Sequence, residues 1–408
     1  MKRPKVAGVF IFVCCLLTYL MLVKRHYAVS KPEVSRPPHP RPGSEHSREC
    51  GLRGDTSAVA LSCQHGIMFD AGSTGTRVHI FKFQMESREA PKLVHETFRA
   101  IKPGLSAYAD DPEKCTAGIM ELLQVAKSSI PPSMWNITPV VLKATAGLRL
   151  LPGEKAKHLL DQVRAVFLES PFLSREDSVS IMDGTDEGIS AWITVNFLTG
   201  ESPAHNVDAC LCFHFSASSV CSYLGLGLMS ARLAVLGGVD ASPLGGSTEL
   251  VSPCLAPEYL GRWDHADVVY TVKGQKAGEP VYEACVTKVE KVLYRKVTKV
   301  SEAADIDFYA FSYYYDRAVD LGVIGEQAGG TIKVADYIDA AKRVCSELSV
   351  SPLQSPFLCL DLVYISVLLQ ELGFPPHKQF KLARTINQVE TSWALGATFH
   401  YIESLKRY

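Results

Sequence analysis

Asp70-Ala71-Gly72-Ser73-Thr74-Gly75-Thr76-Arg77 combines a carboxylate, two glycines and three hydroxyls in one short turn. Glycines let a backbone approach an anion with no Cβ in the way. Successive N–H groups can then surround phosphate oxygens, with the Ser73 and Thr74 hydroxyls as further donors. Asp70, at the head of the turn, is suited to hold a divalent cation through water. The same composition also serves an ordinary Gly-Ser hairpin turn.

Three further stretches carry usable chemistry. In Ala144-Thr145-Ala146-Gly147-Leu148-Arg149, Thr145 is suited to orient a water or a phosphate oxygen, although a tight turn needs the same small residues. Asp183-Gly184-Thr185-Asp186-Glu187-Gly188 brings carboxylates to the start of a helix, where one of them can act as a general base on water. Acids at that place equally favour the helix's first turn. The aromatic run Phe308 to Ala318, with Trp393, is core material, or it offers Tyr313 and Tyr314, on a loop, to a nucleobase. A fourth stretch, "VDASPLGGSTELVSPC" (Val239 to Cys254), imitates a phosphate loop. Its Pro243 stands where a central strand would have to donate, so it reads as a surface loop.

These loops need elements to position them. "GIMFDAGSTGTRVHIFKF" (Gly66 to Phe83) alternates apolar residues on both sides of the small-residue turn, which predicts a β-hairpin with Asp70 ending its first strand. "PVVLKATAGLRLLP" gives a buried strand over Val140 to Lys143, followed by a helix in "GEKAKHLLDQVRAVFLES". A strand around Val179 to Met182 precedes a helix from about Glu187 to Phe197. Strands alternating with helices predict an α/β fold whose chemistry lies at strand ends. The C-terminal half repeats such material, which suggests two lobes around a cleft.

Of the 408 residues 47% are hydrophobic and 21% charged, enough for packed cores. A formal charge of −1 supplies no global attraction for nucleic acid. Val6 to Val23 is apolar, without a charge, and flanked by Lys2, Arg3, Lys5, Lys24 and Arg25. It reads as a transmembrane signal-anchor, a cleaved signal peptide being the alternative. Residues 24–64 form a Pro-rich stalk. The 12 cysteines, with a membrane signal, point to an oxidising compartment, and Asn136-Ile137-Thr138 is a glycosylation sequon.

Taken together the stretches resemble the ectonucleoside triphosphate diphosphohydrolases, the apyrase-like family of the two-lobed actin/Hsp70 (RNase H-like) fold. "FDAGSTGTRVHIFKF", "KATAGLRLLP", "DGTDEGISAWITVNFLTG", "DFYAFSYYYD" and "ETSWALGA" match its motifs in order, and the soluble or Golgi-type, type-six-like members are the most similar. The resemblance implies that Glu187 is the base activating water. It implies that Gly72, Ser73, Thr74, Gly75, Thr145 and Ala146 surround the phosphates, with Asp70 in the water shell of a Ca²⁺ or Mg²⁺ ion. It also implies disulfides Cys254–Cys285 and Cys345–Cys359, nucleoside di- and triphosphates as substrates, and a type II Golgi or secretory-pathway membrane location, or secretion after cleavage. The oligomeric state stays open.

The expected organisation is a cytoplasmic tail (1–5), the anchor (6–23), the stalk (24–64), lobe I (65–199 with 385–408) and lobe II (200–384). One departure matters. After "NFLTG" the family's Asp-Leu-Gly-Gly-Gly-Ser hairpin is missing, and residues 200–221 match nothing expected. Lobe II is therefore expected to be incomplete, and Cys210, Cys212 and Cys221 to lack partners. Three readings follow: an active diphosphatase, a catalytically impaired isoform, and a non-enzymatic membrane-anchored interaction protein.

Overall fold

Strand β1 (Ser62–Ala71) places Ile67, Phe69 and Ala71 on one face of a sheet and Met68 on the other, and all four are buried. A strand covered on both faces carries an apolar run of this kind. It pairs antiparallel with β2 (Thr76–Met85), Asp70 opposite Arg77, and β2 pairs with β3 (Lys92–Ile101). On its other side β1 runs parallel to β4 (Val140–Ala144), which runs parallel to β5 (Val179–Ile181). The order is β3-β2-β1-β4-β5.

These details come from a computed structural model of the chain. It describes residues 62–85, 91–199, 221–238, 248–265, 268–275, 281–300, 307–326, 329–347 and 355–406, all within the unit Leu52–Tyr408. The anchor segment 6–23, the stalk up to residue 61, residues 200–220 of the atypical stretch and the imitating loop over 239–247 lie outside the described residues. Among the described residues no helix is long and apolar enough to cross a membrane.

Helices α1 (Cys115–Ser129), α2 (Ala146–Arg149) and α3 (Gly153–Leu168) contribute Leu122, Leu148, Leu159, Val163 and Phe167 to the face holding Phe69 and Leu142. The other face, with Met68, Phe81 and Val141, packs on Leu198 from α4 (Gly184–Thr199) and on Leu395, Tyr401 and Ile402 near the C-terminus. The expected helix from Glu187 thus begins three residues earlier, at Gly184.

The second half has a core of its own. Helix α5 (Leu228–Leu236) precedes β6 (Glu249–Ser252), β7 (Leu260–His265) and β8 (Val268–Gly274), a sheet of order β6-β8-β7. Then come α6 (Val281–Leu293), β9 (Phe308–Ala310), α7 (Tyr313–Asp320), β10 (Gly330–Lys333), α8 (Val334–Ser346), α9 (Leu358–Glu371) and β11 (Gln379–Leu382). Strands β10-β11-β9 form a second small sheet. Two three-stranded sheets thus stand, among the described residues, where the first half has one five-stranded sheet. The hairpin β12 (Thr385–Ile386) and β13 (Val389–Glu390) leads into α10 (Ala394–Lys406), which returns to the first sheet.

Disulfides Cys254–Cys285 and Cys345–Cys359 bridge buried positions of the second half, the latter joining α8 to α9. Cys221 is free and exposed, and Cys115 is free and buried, its thiol pushed up to about 11 by burial. Under this core lies Asp361, fully buried, whose Oδ2 accepts from Arg232 at 2.7 Å and from Arg317 at 3.0 Å.

Candidate active site

Parallel strands end together, so the segments after β1, β4 and β5 emerge on one edge of the first sheet. After β1 comes the turn 72–75, closed by the Gly72 N–H donating to the Gly75 carbonyl at 3.1 Å. Gly72 and Gly75 are buried, while Ser73 and Thr74 expose their hydroxyls. Both glycines make room for neighbouring protein atoms. A Cβ on Gly75 would stand 2.9 Å from the Ile101 carbonyl oxygen, and one on Gly72 3.1 Å from Arg77 Nη1. Gly104, which the sequence did not single out, backs the same turn; its Cβ would meet the Gly72 oxygen at 2.3 Å.

After β4, the Thr145 N–H donates to the Ala71 carbonyl at 3.2 Å, tying the second turn to the first. Thr145 is 7% exposed and precedes α2, so the expected turn winds at once into a single helical turn containing Ala146.

After β5, the two readings of the acidic segment separate by residue. Asp183 is the cap: its Oδ1 accepts from the Thr185 and Asp186 N–H groups at 2.7 and 2.9 Å, and those bonds hold its carboxyl below the usual range. Glu187 is released from that task. Its Oε2 accepts from Arg149 Nη2 at 2.9 Å, and its carboxyl is partly buried. Burial pushes the Glu187 pKa up; Arg149 works against this, and Asp70 adds to it by like charge. Asp70 is 7% exposed, with Oδ2 2.9 Å from Arg77 Nη1. Burial raises its pKa and the Arg77 guanidinium opposes the rise.

The structure therefore brings Asp70, Gly72, Ser73, Thr74, Gly75, Thr145, Ala146 and Glu187 to one sheet edge. Among the described residues no three His, Cys, Asp or Glu side chains converge as a metal cage. The Asp70 carboxylate beside the exposed residues Ser73 and Thr74 suits a hard cation that keeps most of its waters, as Mg²⁺ does.

The tyrosines need a correction. Tyr313 and Tyr314 lie in the first turn of α7, not on a loop, and both pack against the second-half core. A loop is replaced by helix because Tyr315 and Ala318 form the buried side of an amphipathic turn. Tyr314 is drawn inward, its hydroxyl pushed up to about 12 by burial, and its carbonyl accepts from the Tyr337 hydroxyl at 2.5 Å. Burial pushes the Tyr313 hydroxyl up as well. The residue before it, Ser312, holds φ 56, a conformation costly for any side chain but glycine. Asn136 is exposed.

Sequence reasoning missed Arg77, Arg149 and Gly104 as site residues. The first two lay inside the quoted motifs, but nothing in spacing says that a guanidinium turns toward a carboxylate.

The GDA1/CD39 (nucleoside phosphatase) family description matches residues 58–219 and 217–407. Human ectonucleoside triphosphate diphosphohydrolase 6 is 50% identical over 434 aligned positions, covering 98% of this chain and 88% of the relative. Human nucleoside diphosphate phosphatase ENTPD5 is 43% identical, covering 85% and 89%. Among solved structures, a nucleoside triphosphate hydrolase from Neospora caninum superposes with a TM-score of 0.55 at 14% identity, covering 85% of this chain and 94% of that one. It shares the fold.

Proposed function

Because this chain belongs to the GDA1/CD39 (nucleoside phosphatase) family, whose members cleave phosphoanhydride bonds of nucleotides, we propose that it converts nucleoside diphosphates, and triphosphates less readily, to monophosphate and inorganic phosphate. The observation that carries this reading is the common edge of β1, β4 and β5, where the 72–75 turn, Thr145 and Glu187 emerge side by side.

Glu187 is the base. Its Oε1 has no protein hydrogen bond among the described residues, while Oε2 stays on Arg149. Oε1 takes a proton from water as the water oxygen bonds to the terminal phosphorus. The bond from that phosphorus to the bridging oxygen breaks, and the nucleoside monophosphate leaves with the bridging oxygen. The N–H groups of Ser73, Thr74, Gly75 and Ala146, with the Ser73, Thr74 and Thr145 hydroxyls, hold the phosphoryl oxygens, Gly72 serving to close the turn. Asp70 would anchor the hydration shell of a Ca²⁺ or Mg²⁺ ion, whose chemistry is to neutralise charge on the transferred group. Tyr313 supplies an aromatic face for the base, with Tyr314 behind it.

Phosphate release from UDP and GDP tests this. Turnover should require Mg²⁺ or Ca²⁺, stop with EDTA, and vanish in Glu187→Gln. A Glu187→Gln variant as fast as the parent overturns the assignment.

Two observations favour slow turnover in this chain. The family match breaks at residues 217–219, and the 434 aligned positions exceed the chain's 408 residues, so the relative carries residues this chain lacks. Missing donors from the second half would each cost roughly 10²-fold or more in kcat. Turnover equal to that of the human relatives would overturn this second reading.

We also infer a type II anchor at residues 6–23 and a lumenal catalytic part. The exposed Asn136 sequon supports it. A mobility shift on deglycosylation, absent in Asn136→Gln, is the expected outcome; an unglycosylated chain in the membrane fraction argues against it.

A further inference from the structure

Arg149 is engaged on two sides. Its Nη1 donates to the Met182 carbonyl at 2.8 Å, and its Nη2 donates to Glu187 Oε2 at 2.9 Å. The Met182 carbonyl is itself held, because the Met182 N–H donates to the Ala144 carbonyl at 2.8 Å across the β4–β5 pair. One planar group thus joins the end of α2, the end of β5 and the first turn of α4. The Arg149 side chain is 16% exposed and the Glu187 side chain 31%. Arg149 Nε is buried and makes no hydrogen bond.

We propose that Arg149 is the positioning residue for the base: it fixes Glu187 by one oxygen and turns the other toward the attacking water. The proposal rests on the reading of Glu187 as base and goes one residue beyond it. The charged groups that bear on Glu187 are Arg149 from α2 and Asp70 from β1, with Asp186 beside it in the first turn of α4 and Asp183 capping that helix. Arg149 is the cation among them. Burial and the negative Asp70 both favour the protonated acid, and a protonated Glu187 cannot accept from water. The Arg149 ion pair is what opposes them. Lysine would retain the charge but lack the planar fork that reaches a carbonyl and a carboxylate together.

The test compares Arg149→Gln and Arg149→Lys with the parent in UDP hydrolysis across pH, and in a ¹³C NMR titration of the Glu187 carboxyl assigned with Glu187→Gln. In Arg149→Gln kcat should fall by roughly ten- to a hundred-fold, part of what a general base supplies, with KM for UDP within about threefold. The acid limb and the carboxyl titration should both move to higher pH. In Arg149→Lys the titration should stay near the parent's while kcat remains low, separating charge from aim. The titration reads the effect even where turnover is slow. An unchanged titration in Arg149→Gln overturns the proposal, and so does a rise in KM with kcat preserved, which would make Arg149 a phosphate ligand. Should Arg149→Gln fail to unfold cooperatively, Arg149→Lys carries the test through its kcat alone, a parental value overturning it. If Glu187→Gln keeps full activity, the base assignment fails. If Glu187→Gln is inactive and Arg149→Gln is silent, only this inference fails.

Discussion

Gly147 stands so close to Ser73 that a Cβ on it would lie 2.9 Å from the Ser73 Cα and 3.0 Å from its nitrogen. The turn after β4 is thereby pressed against the turn after β1, backbone to backbone. In Gly147→Ala nothing at the far end of a flexible side chain can yield, so the 72–75 turn must shift. We expect a loss of about 1–3 kcal/mol in stability, typical of overpacking, and a fall in kcat/KM larger than that instability explains. Thermal unfolding with phosphate-release assays checks it, and a variant with parental kcat/KM refutes the idea that this contact shapes the phosphate turn.

With Glu187 as the proposed base, its raised pKa is expected to set the acid limb of activity. The base works only when ionised, so activity falls as pH drops through its folded-state pKa. Because burial raises that value, the limb lies above the ordinary glutamate range. A kcat/KM profile against pH reads it directly; a limb at or below the free-glutamate value disagrees with a buried base.

Gly184, at the start of α4, meets Ser222 across the atypical stretch. A Cβ on Gly184 would fall 1.7 Å from Ser222 Oγ and 2.4 Å from its Cβ. Gly184→Ala should therefore destabilise the chain, and Ser222→Ala should not rescue it, since the Cβ remains. Ser222→Gly in the same background should rescue it. A double-mutant cycle by chemical denaturation measures the coupling. Absence of coupling would mean that the two segments do not touch in solution.

Asp361 accepts from the buried Arg232 and the partly buried Arg317. Asp361→Ala strands the buried Arg232, while Arg317 keeps Asp320 at 3.1 Å, so the expected cost is about 3–5 kcal/mol, the range for breaking a buried pair. Denaturant unfolding followed by tryptophan fluorescence is suited to it, because Trp263 lies against the same Arg232. A loss under about 1 kcal/mol would mean the cluster is well hydrated.

Much of the first half was legible in the residues. Alternation around Asp70 specified the β1–β2 hairpin, and the apolar runs Val140–Lys143 and Val179–Met182 specified neighbouring buried strands, because period and polarity act locally. The acidic segment shows the limit. Residue type alone left Asp183 and Glu187 both suited to capping and catalysis; the resemblance pointed to Glu187, and the fold shows Asp183 meeting the free N–H groups of α4 while Glu187, one turn on, turns toward Arg149. Tyr313 and Tyr314 read alike as loop aromatics, yet adjacent positions on a helix diverge by about 100°. Both nonetheless pack, partly buried, against the second-half core, and the Tyr314 carbonyl accepts from the Tyr337 hydroxyl.

The sequence by itself determined the α/β class, the family, and the identity of the phosphate turn and the acidic segment, since each rests on neighbours in the chain. Tertiary structure decided which carboxylate caps α4, which arginine holds Glu187, and which glycines separate the two turns. Those choices depend on atoms far apart in the chain, Arg149 against Glu187 and Gly147 against Ser73, which come within contact only once β1, β4 and β5 lie parallel and end on a common edge.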